Sequence, residues 1–400
     1  MKLLSNSNIQ NSKVLMRVDF NVPIKNGKIT DETRILNVLP SIQYLIKNNN
    51  AIVLISHLGR PKKKSKKESL ILIYQYLVKT LDYPVFFSEQ IIGDDVEKKK
   101  ENLKLGEILL IENIRFEDQE KLENKNLKEN MIFAKKIASK MDFFINEAFA
   151  CSHRESASIT LLPMCFPKKK FAGLLLEKEI KHLTKVKHNS LKPFTAIIGG
   201  SKISTKIKLI KKLLITCDNI ILGGAMAHTF IVFLKGKIGS SLFEPDQLLE
   251  VESILKEANK YNCKIHLPLD CVTTQEISND TAVKIRNIHN IPNNEMSVDI
   301  GPNSLNLFYK IIINSKTILW NGPMGIFEFS AFSNGTRMIA KSINRATELG
   351  SYSVIGGGDS IAAINSFNTN FNFSYLSTGG GAMLEFFEKE SLPGISALDE

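Results

Sequence analysis

Two doubly wound α/β domains, each a parallel sheet covered by helices, are the fold class predicted for this 400-residue chain. Two observations lead there. Short β-branched runs alternate with longer amphipathic ones from end to end, as parallel sheets with helical crossovers require. The chemistry also divides: glycine doublets and triplets occur only from residue 199 onward, whereas Asp, Asn, Arg and His gather at strand ends in the first half.

In the first half the predicted strands are 14–18, 51–55, 85–87, 108–111 and 143–145, and in the second 195–198, 219–222, 264–267, 317–320 and 352–355. Helical periodicity is clear over 70–81, 128–140, 203–214, 246–259 and 336–347. Residues 171–187 read as a stiff helical connector, ended by Asn189-Ser190-Leu191-Lys192-Pro193. The longest uncharged run, 220–234, is broken by Gly223-Gly224 and His228, so it reads as a buried strand, a glycine turn and the start of a helix, too short to span a bilayer.

Composition narrows the class. A hydrophobic fraction of 43% can build large cores, and the length fits two or three domains. The net charge of +11 is partly held in lysine runs (62–64, 98–100, 168–170) without interleaved aromatics, which read as solvated loops and not as a nucleic-acid face. The surplus favours anionic small-molecule substrates. Five cysteines without C-x-x-C spacing argue against a zinc site or disulfide framework, and the N-terminus lacks the apolar stretch of a signal peptide, so a cytoplasmic location is expected.

In open α/β sheets ligands bind beyond the carboxyl ends of the strands. Asp19 and Asn21 follow the first strand two residues apart, on one face of an extended chain. His57-Leu58-Gly59-Arg60-Pro61 follows the second, Arg115 the fourth and His153-Arg154 the fifth. Four strand ends offering Arg or His make a basic cradle for a small polyanion. In the second half, Gly199-Gly200-Ser201-Lys202 through Lys206 turns from strand to helix, with the two lysines at i and i+4 on one helical face near a phosphate chain. Gly356-Gly357-Gly358-Asp359-Ser360 opens another helix, where the carboxylate could hold Mg²⁺ and the hydroxyl meet phosphate. Neither G-x-x-x-x-G-K-[ST] nor G-x-G-x-x-G occurs, which excludes a P-loop and the usual dinucleotide fingerprint, and His153-Arg154-Glu155 lacks the Asp of a protein-kinase catalytic loop.

These residues together resemble the phosphoglycerate kinase family over essentially the whole length. The matching segments are Arg17-Val18-Asp19-Phe20-Asn21-Val22-Pro23, Ser56 to Pro61, Glu112-Asn113-Ile114-Arg115-Phe116, Leu175-Leu176-Glu177-Lys178-Glu179, Gly199 to Lys202, Trp320 to Glu328, Gly356 to Ser360 and Ser377 to Gly381. The resemblance implies two Rossmann-like domains joined by an interdomain helix: a phosphoglycerate-binding domain at 1–170 plus 388–400, a helix at 171–188 and a Mg-nucleotide-binding domain at 189–387. The tail, through Leu392-Pro393-Gly394-Ile395, would return to the first domain.

It also implies reversible phosphoryl transfer between 1,3-bisphosphoglycerate and MgADP by a cytoplasmic, hinge-bending monomer. The glycerate ligand would lie on Asp19, Phe20, Asn21, Arg34, His57, Leu58, Gly59, Arg60, Arg115 and Arg154. The nucleotide would lie on Lys202, Lys206, Gly223, Gly224, Asn321, Glu328, Gly357, Gly358, Asp359 and Ser360, with Asp359 associated with Mg²⁺, and with Arg34, Lys202 and Gly358 at the transferring group. Glu147, Ala150, Ala225 and Cys271 depart from the family pattern without removing any of these groups. The alternative is another α/β nucleotide-dependent phosphotransferase acting on a small carboxylate.

Overall fold

The computed structural model describes residues 1–122 and 126–399. The chain divides into two compact units, Met1–Lys181 with Lys389–Glu400, and His182–Glu388.

The first unit is built on six parallel strands: β1 (Lys13–Arg17), β2 (Ala51–Ile55), β3 (Val85–Ser88), β4 (Ile108–Ile111), β5 (Phe143–Asn146) and β6 (Lys170–Ala172). Their order is β3-β4-β2-β1-β5-β6. All residues of β2 and β4 are buried, as expected for strands covered on both faces. Helices α1 (Thr33–Lys47), α2 (Ile71–Thr80), α3 (Asp94–Asn102) and α4 (Leu127–Ala138) connect them. On α1 the buried residues Ile35, Val38, Leu39, Ile42, Leu45 and Ile46 form one stripe despite Pro40 inside the helix. Pro40 itself is exposed.

The predicted connector starts later than its pattern suggests. Residues 170–172 extend as β6, with Ala172 pairing Asn146, and the helix α5 runs over Leu174–His188. Glu147, at the end of β5, is fully buried and accepts hydrogen bonds from the Leu175 and Leu176 amides (2.8 and 3.3 Å) and from the Ser41 hydroxyl. A carboxylate on otherwise orphaned helix N–H groups caps α5. The C-terminal residues belong to this unit: Asn146 Nδ2 donates to the Gly394 carbonyl at 3.1 Å, and Leu392 and Leu398 are buried.

In the second unit the parallel strands are β7 (Phe194–Ile198), β8 (Asn219–Leu222) and β9 (Lys264–His266). A separate antiparallel layer follows, β10 (Asp270–Thr274), β11 (Lys284–Asn287) and β12 (Met296–Ile300), before β13 (Thr317–Asn321), β14 (Tyr352–Gly356) and β15 (Tyr375–Ser377) complete the main sheet. Its order is β9-β8-β7-β13-β14-β15. Helices α6 (Ile207–Leu214), α7 (Met226–Phe233), α8 (Leu248–Lys260), α9 (Pro302–Ile313), α10 (Asn334–Glu348), α11 (Gly358–Ser366) and α12 (Gly381–Glu388) cover it. The run at 220–234 is β8, a glycine turn and α7, as its pattern predicts. Trp320 is fully buried at the centre of this core, donating from Nε1 to the Gly322 carbonyl at 2.8 Å. No helix among the described residues is long and apolar enough to cross a membrane.

Candidate active site

The strand order reverses next to β1 in the first unit and between β7 and β13 in the second, and at such a switch point the loops leave in opposite directions and open a crevice. Both sets of candidate residues lie at these points.

In the first unit a cleft of about 570 Å³ is lined by Arg17, Arg60, Arg115, Arg154 and Cys151 among others. Asp19 does not continue β1 as an extended face. Its Oδ1 accepts the Asn21 amide at 3.0 Å, closing an Asx-turn, while Oδ2 takes Arg34 from α1 at 2.8 Å. Asn21 Oδ1 in turn accepts the Gly59 amide at 2.9 Å, and the Gly59 carbonyl accepts from Arg115. Asn113 Nδ2 holds the Leu58 carbonyl at 2.7 Å. The loops after β1, β2 and β4 are thereby tied to one another through the candidates themselves. Phe20 and Leu58 turn their side chains into the core, so only their backbones can face a ligand. Arg60 and Arg154 are exposed and free to reach an anion.

Arg17 is a functional candidate that the strand-end argument passes over, because it lies inside β1 itself. It is almost fully buried, donates from Nε to Ser158 Oγ at 2.9 Å and places NH2 3.3 Å from His57 Nδ1. Burial, followed by the charges of Arg17, Arg115, Arg34 and Arg154, pushes the His57 pKa well below 6.5, so the imidazole is neutral at physiological pH. With guanidinium N–H directed at Nδ1, that nitrogen keeps its lone pair and the proton sits on Nε2 as a donor.

Asp19, His57 and Cys151 place donor atoms within 4.8 Å of one another, a grouping that residue spacing could not reveal. Arg17 already faces the imidazole nitrogen of this trio, and the surrounding guanidinium groups make the cleft a host for anions, not for a metal cation.

In the second unit a cleft of about 430 Å³ is lined by Gly200, Gly224, Met324, Glu328 and Asp359 among others. A Cβ at Gly199 would lie 2.0 Å from the Pro323 carbonyl, and Gly224 holds φ +66° against the Gly200 backbone, so the strand-end loops approach each other too closely for side chains. Ala225 is accommodated because it has right-handed helical angles at the N-cap of α7.

Lys202 and Lys206 do not share a helical face. Both precede α6, so the i,i+4 argument fails. Lys202 is exposed, whereas Lys206 folds inward and donates from Nζ to the carbonyls of Gly199 and Asn321, the ends of β7 and β13. Its burial pulls the pKa from 10.5 to about 8, against a smaller opposite effect of Asp359. Asn321 is buried and donates to the Gly356 carbonyl at 2.8 Å, and Ser360 Oγ accepts the Gly322 amide at 2.7 Å. These two polar groups brace the loops, in contrast to the expectation of a Ser360 hydroxyl turned toward phosphate. Gly358 and Asp359 stand exposed in the first turn of α11, where N–H groups suit phosphate. Glu328 is exposed on the cleft. Asp270, beside the departure Cys271, accepts the Ser304 and Asn303 amides at the start of α9.

Comparison with known proteins agrees with this geometry. The family model described as phosphoglycerate kinase matches residues 4–390. A phosphoglycerate kinase of Thermosipho africanus is 44% identical over 392 residues, covering 98% of this chain and 96% of that protein. One from a Wolbachia of Drosophila simulans is 42% identical, covering 99% and 98%. Among solved structures, phosphoglycerate kinase from Coxiella burnetii superposes with a TM-score of 0.86 at 38% identity, covering 99% of this chain and 98% of that one. With the fold, the two clefts and these relatives in agreement, the chain belongs to the phosphoglycerate kinase family and is a phosphotransferase with a carboxyl group as acceptor.

Proposed function

We propose that this chain transfers a phosphoryl group reversibly between 1,3-bisphosphoglycerate and MgADP, giving 3-phosphoglycerate and ATP. In this reading the cleft of the first unit holds the glycerate ligand and that of the second the nucleotide. The observation that carries it is the contrast between two switch-point clefts, one lined by guanidinium groups and one by closely apposed glycine backbone. Arginine forks suit carboxylate and phosphate, and bare backbone admits a nucleotide.

In the ATP-consuming direction the nucleophile is a substrate carboxylate, ionised at neutral pH, so no general base is needed. The work left to the protein is positioning and neutralising charge. Asp19 orients Arg34. Asn21, Arg60, Arg115, Arg154 and the Nε2–H of His57 grip the anionic ligand, with the backbone of Phe20, Leu58 and Gly59 around it. Lys202, Lys206 and the amides of Gly357 and Gly358 receive phosphate oxygens, Glu328 the ribose, and Gly223-Gly224 the base, while Asn321 and Ser360 hold the loops in place. Arg34 and Lys202 bear on the transferring group.

Asp359 presents an exposed carboxylate beside the phosphate-directed helix end, a hard oxygen donor of the kind Mg²⁺ takes together with phosphates. Mg²⁺ bound there would neutralise phosphate charge.

Direct transfer between ligands held by different units requires their approach during turnover, and we assign the hinge to residues 171–188. Small-angle scattering with both substrates bound should register a decrease in dimensions. We place the enzyme in the cytoplasm as a monomer, which light scattering checks. The decisive assay couples ATP and 3-phosphoglycerate to reduction of the acyl phosphate. Arg34→Ala should lower kcat by about 10³-fold or more, as for other cations on a transferring phosphoryl group. Folded protein without turnover, or an Arg34→Ala variant at full rate, refutes the proposal.

A further inference from the structure

His228 is a buried titratable side chain that the transfer chemistry leaves unused. It lies on α7, four residues beyond Gly224, and lines the second-unit cleft together with Leu242 and Ile277. Its Nδ1 is 2.9 Å from the Leu242 carbonyl oxygen. A carbonyl can only accept, so Nδ1 carries the proton and, in the neutral ring, Nε2 is a lone-pair acceptor. Burial lowers the pKa below 6.5 and keeps the ring neutral. Among the described residues Nε2 has no hydrogen-bond partner, and it is not among the buried polar atoms left unpaired, so it is open to whatever occupies the cleft.

The surroundings are mostly apolar: Leu242, Ile277, Met296 and Phe327 line the same cleft. An apolar slot with one fixed acceptor suits a flat heteroaromatic base that presents an N–H donor at its edge. We propose that His228 selects the purine, with Nε2 accepting from the exocyclic 6-amino group of adenine and opposing the 6-oxo group of hypoxanthine or guanine. The inference rests on the nucleotide reading of this cleft and adds a base preference to it. Discrimination comes from the mismatch as much as from the match. A 6-oxo base would set two acceptors against each other in a desolvated place, and neither could turn to water.

The test is calorimetric titration of the intact chain with MgADP and with MgIDP, whose base differs at the 6-position. Wild type should bind ADP about 10-fold more tightly or better, the scale of one buried neutral hydrogen bond. In His228→Phe the two affinities should come within about twofold, since no fixed acceptor remains. Purine riboside diphosphate, which has neither group at that position, should bind wild type with intermediate affinity. Should the variant fail to fold, the wild-type comparison decides alone. Equal affinity of wild type for ADP and IDP overturns the role of His228 and leaves the nucleotide site standing. Discrimination retained by folded His228→Phe does the same. Binding of neither nucleotide overturns the nucleotide reading of the cleft.

Discussion

Lys206 offers the sharpest quantitative test of the nucleotide cleft. Its ammonium is held between two strand-end carbonyls, and burial pulls the pKa from 10.5 to about 8. At about 1.4 kcal/mol per pH unit, roughly 3 kcal/mol of charge burial is left uncompensated in the free protein. A bound phosphate chain supplies the missing counter-charge and should return the pKa toward its ordinary range. Binding of MgADP near pH 8 should then take up about half a proton per site, because half the free molecules are neutral there. Near pH 9 about one free molecule in ten carries the charge, so the affinity should be about 10-fold weaker than near pH 7.

Calorimetric titration in two buffers of different ionisation enthalpy measures the uptake. Lys206→Met should bind more weakly, with neither proton uptake nor pH slope. Tight binding with a buffer-independent heat near pH 8, or a slope that survives in Lys206→Met, would show that this lysine does not meet the phosphates.

Three further outcomes follow from groups outside the chemistry. Ser360→Ala leaves the Gly322 amide without its buried acceptor, which should cost about 1–3 kcal/mol in thermal or urea melts, and an unchanged stability would remove Ser360 from the bracing role. The Glu147 pKa is raised from 4.5 to about 7, chiefly by desolvation. Its contribution is full below about pH 4.5 and is lost as pH rises through 7, so wild type should lose up to about 3 kcal/mol over that window. Glu147→Gln should flatten that part of the profile, leaving a slope from Asp299, whose pKa is also raised to about 7. Deleting residues 391–400 uncovers the sites of Leu392 and Leu398, at about 1.5–3 kcal/mol each. Urea melts should register the loss in the first unit, while MgADP affinity, which belongs to the second, stays as in the full chain.

Much of this architecture was legible in the residues because buried parallel strands leave uninterrupted β-branched runs, as in 51–55 and 108–111. What escaped did so for local physical reasons. Helix α1 carries Arg34 but has Pro40 in its middle, which breaks the periodic signal although the helix tolerates it. Strand β6 begins at the end of a lysine run, and β11 is mostly exposed, so neither has a buried-strand signature. Spacing put Lys202 and Lys206 on a helix, but the turn after Gly199-Gly200 delays α6 to Ile207 and sends one lysine inward and the other to solvent. Ser360 looked like a phosphate ligand because it follows a glycine triplet; only the fold brings the Gly322 amide to it from β13. Arg17 and His228 sit in apolar runs, where a polar residue looks like an interruption, and their roles depend on partners 40 and 14 residues away.

The two clefts bind anions with different kinds of charge, and this separates their pH responses. In the first, every lining arginine keeps its proton throughout the physiological range, and His57, with its pKa pushed well below 6.5, is neutral across it. The potential offered to phosphoglycerate is therefore constant between about pH 7 and 9, and the KM for 3-phosphoglycerate should stay within about twofold over that interval. In the second, the buried cation is a lysine that discharges near pH 8, so the KM for ATP should rise about 10-fold over the same interval. Initial-rate measurements varying one substrate at a time separate the two arms. A parallel rise in both constants would mean that the loss of charge is not confined to the nucleotide cleft, and it would remove the distinction between fixed guanidinium charge in one unit and titratable ammonium charge in the other.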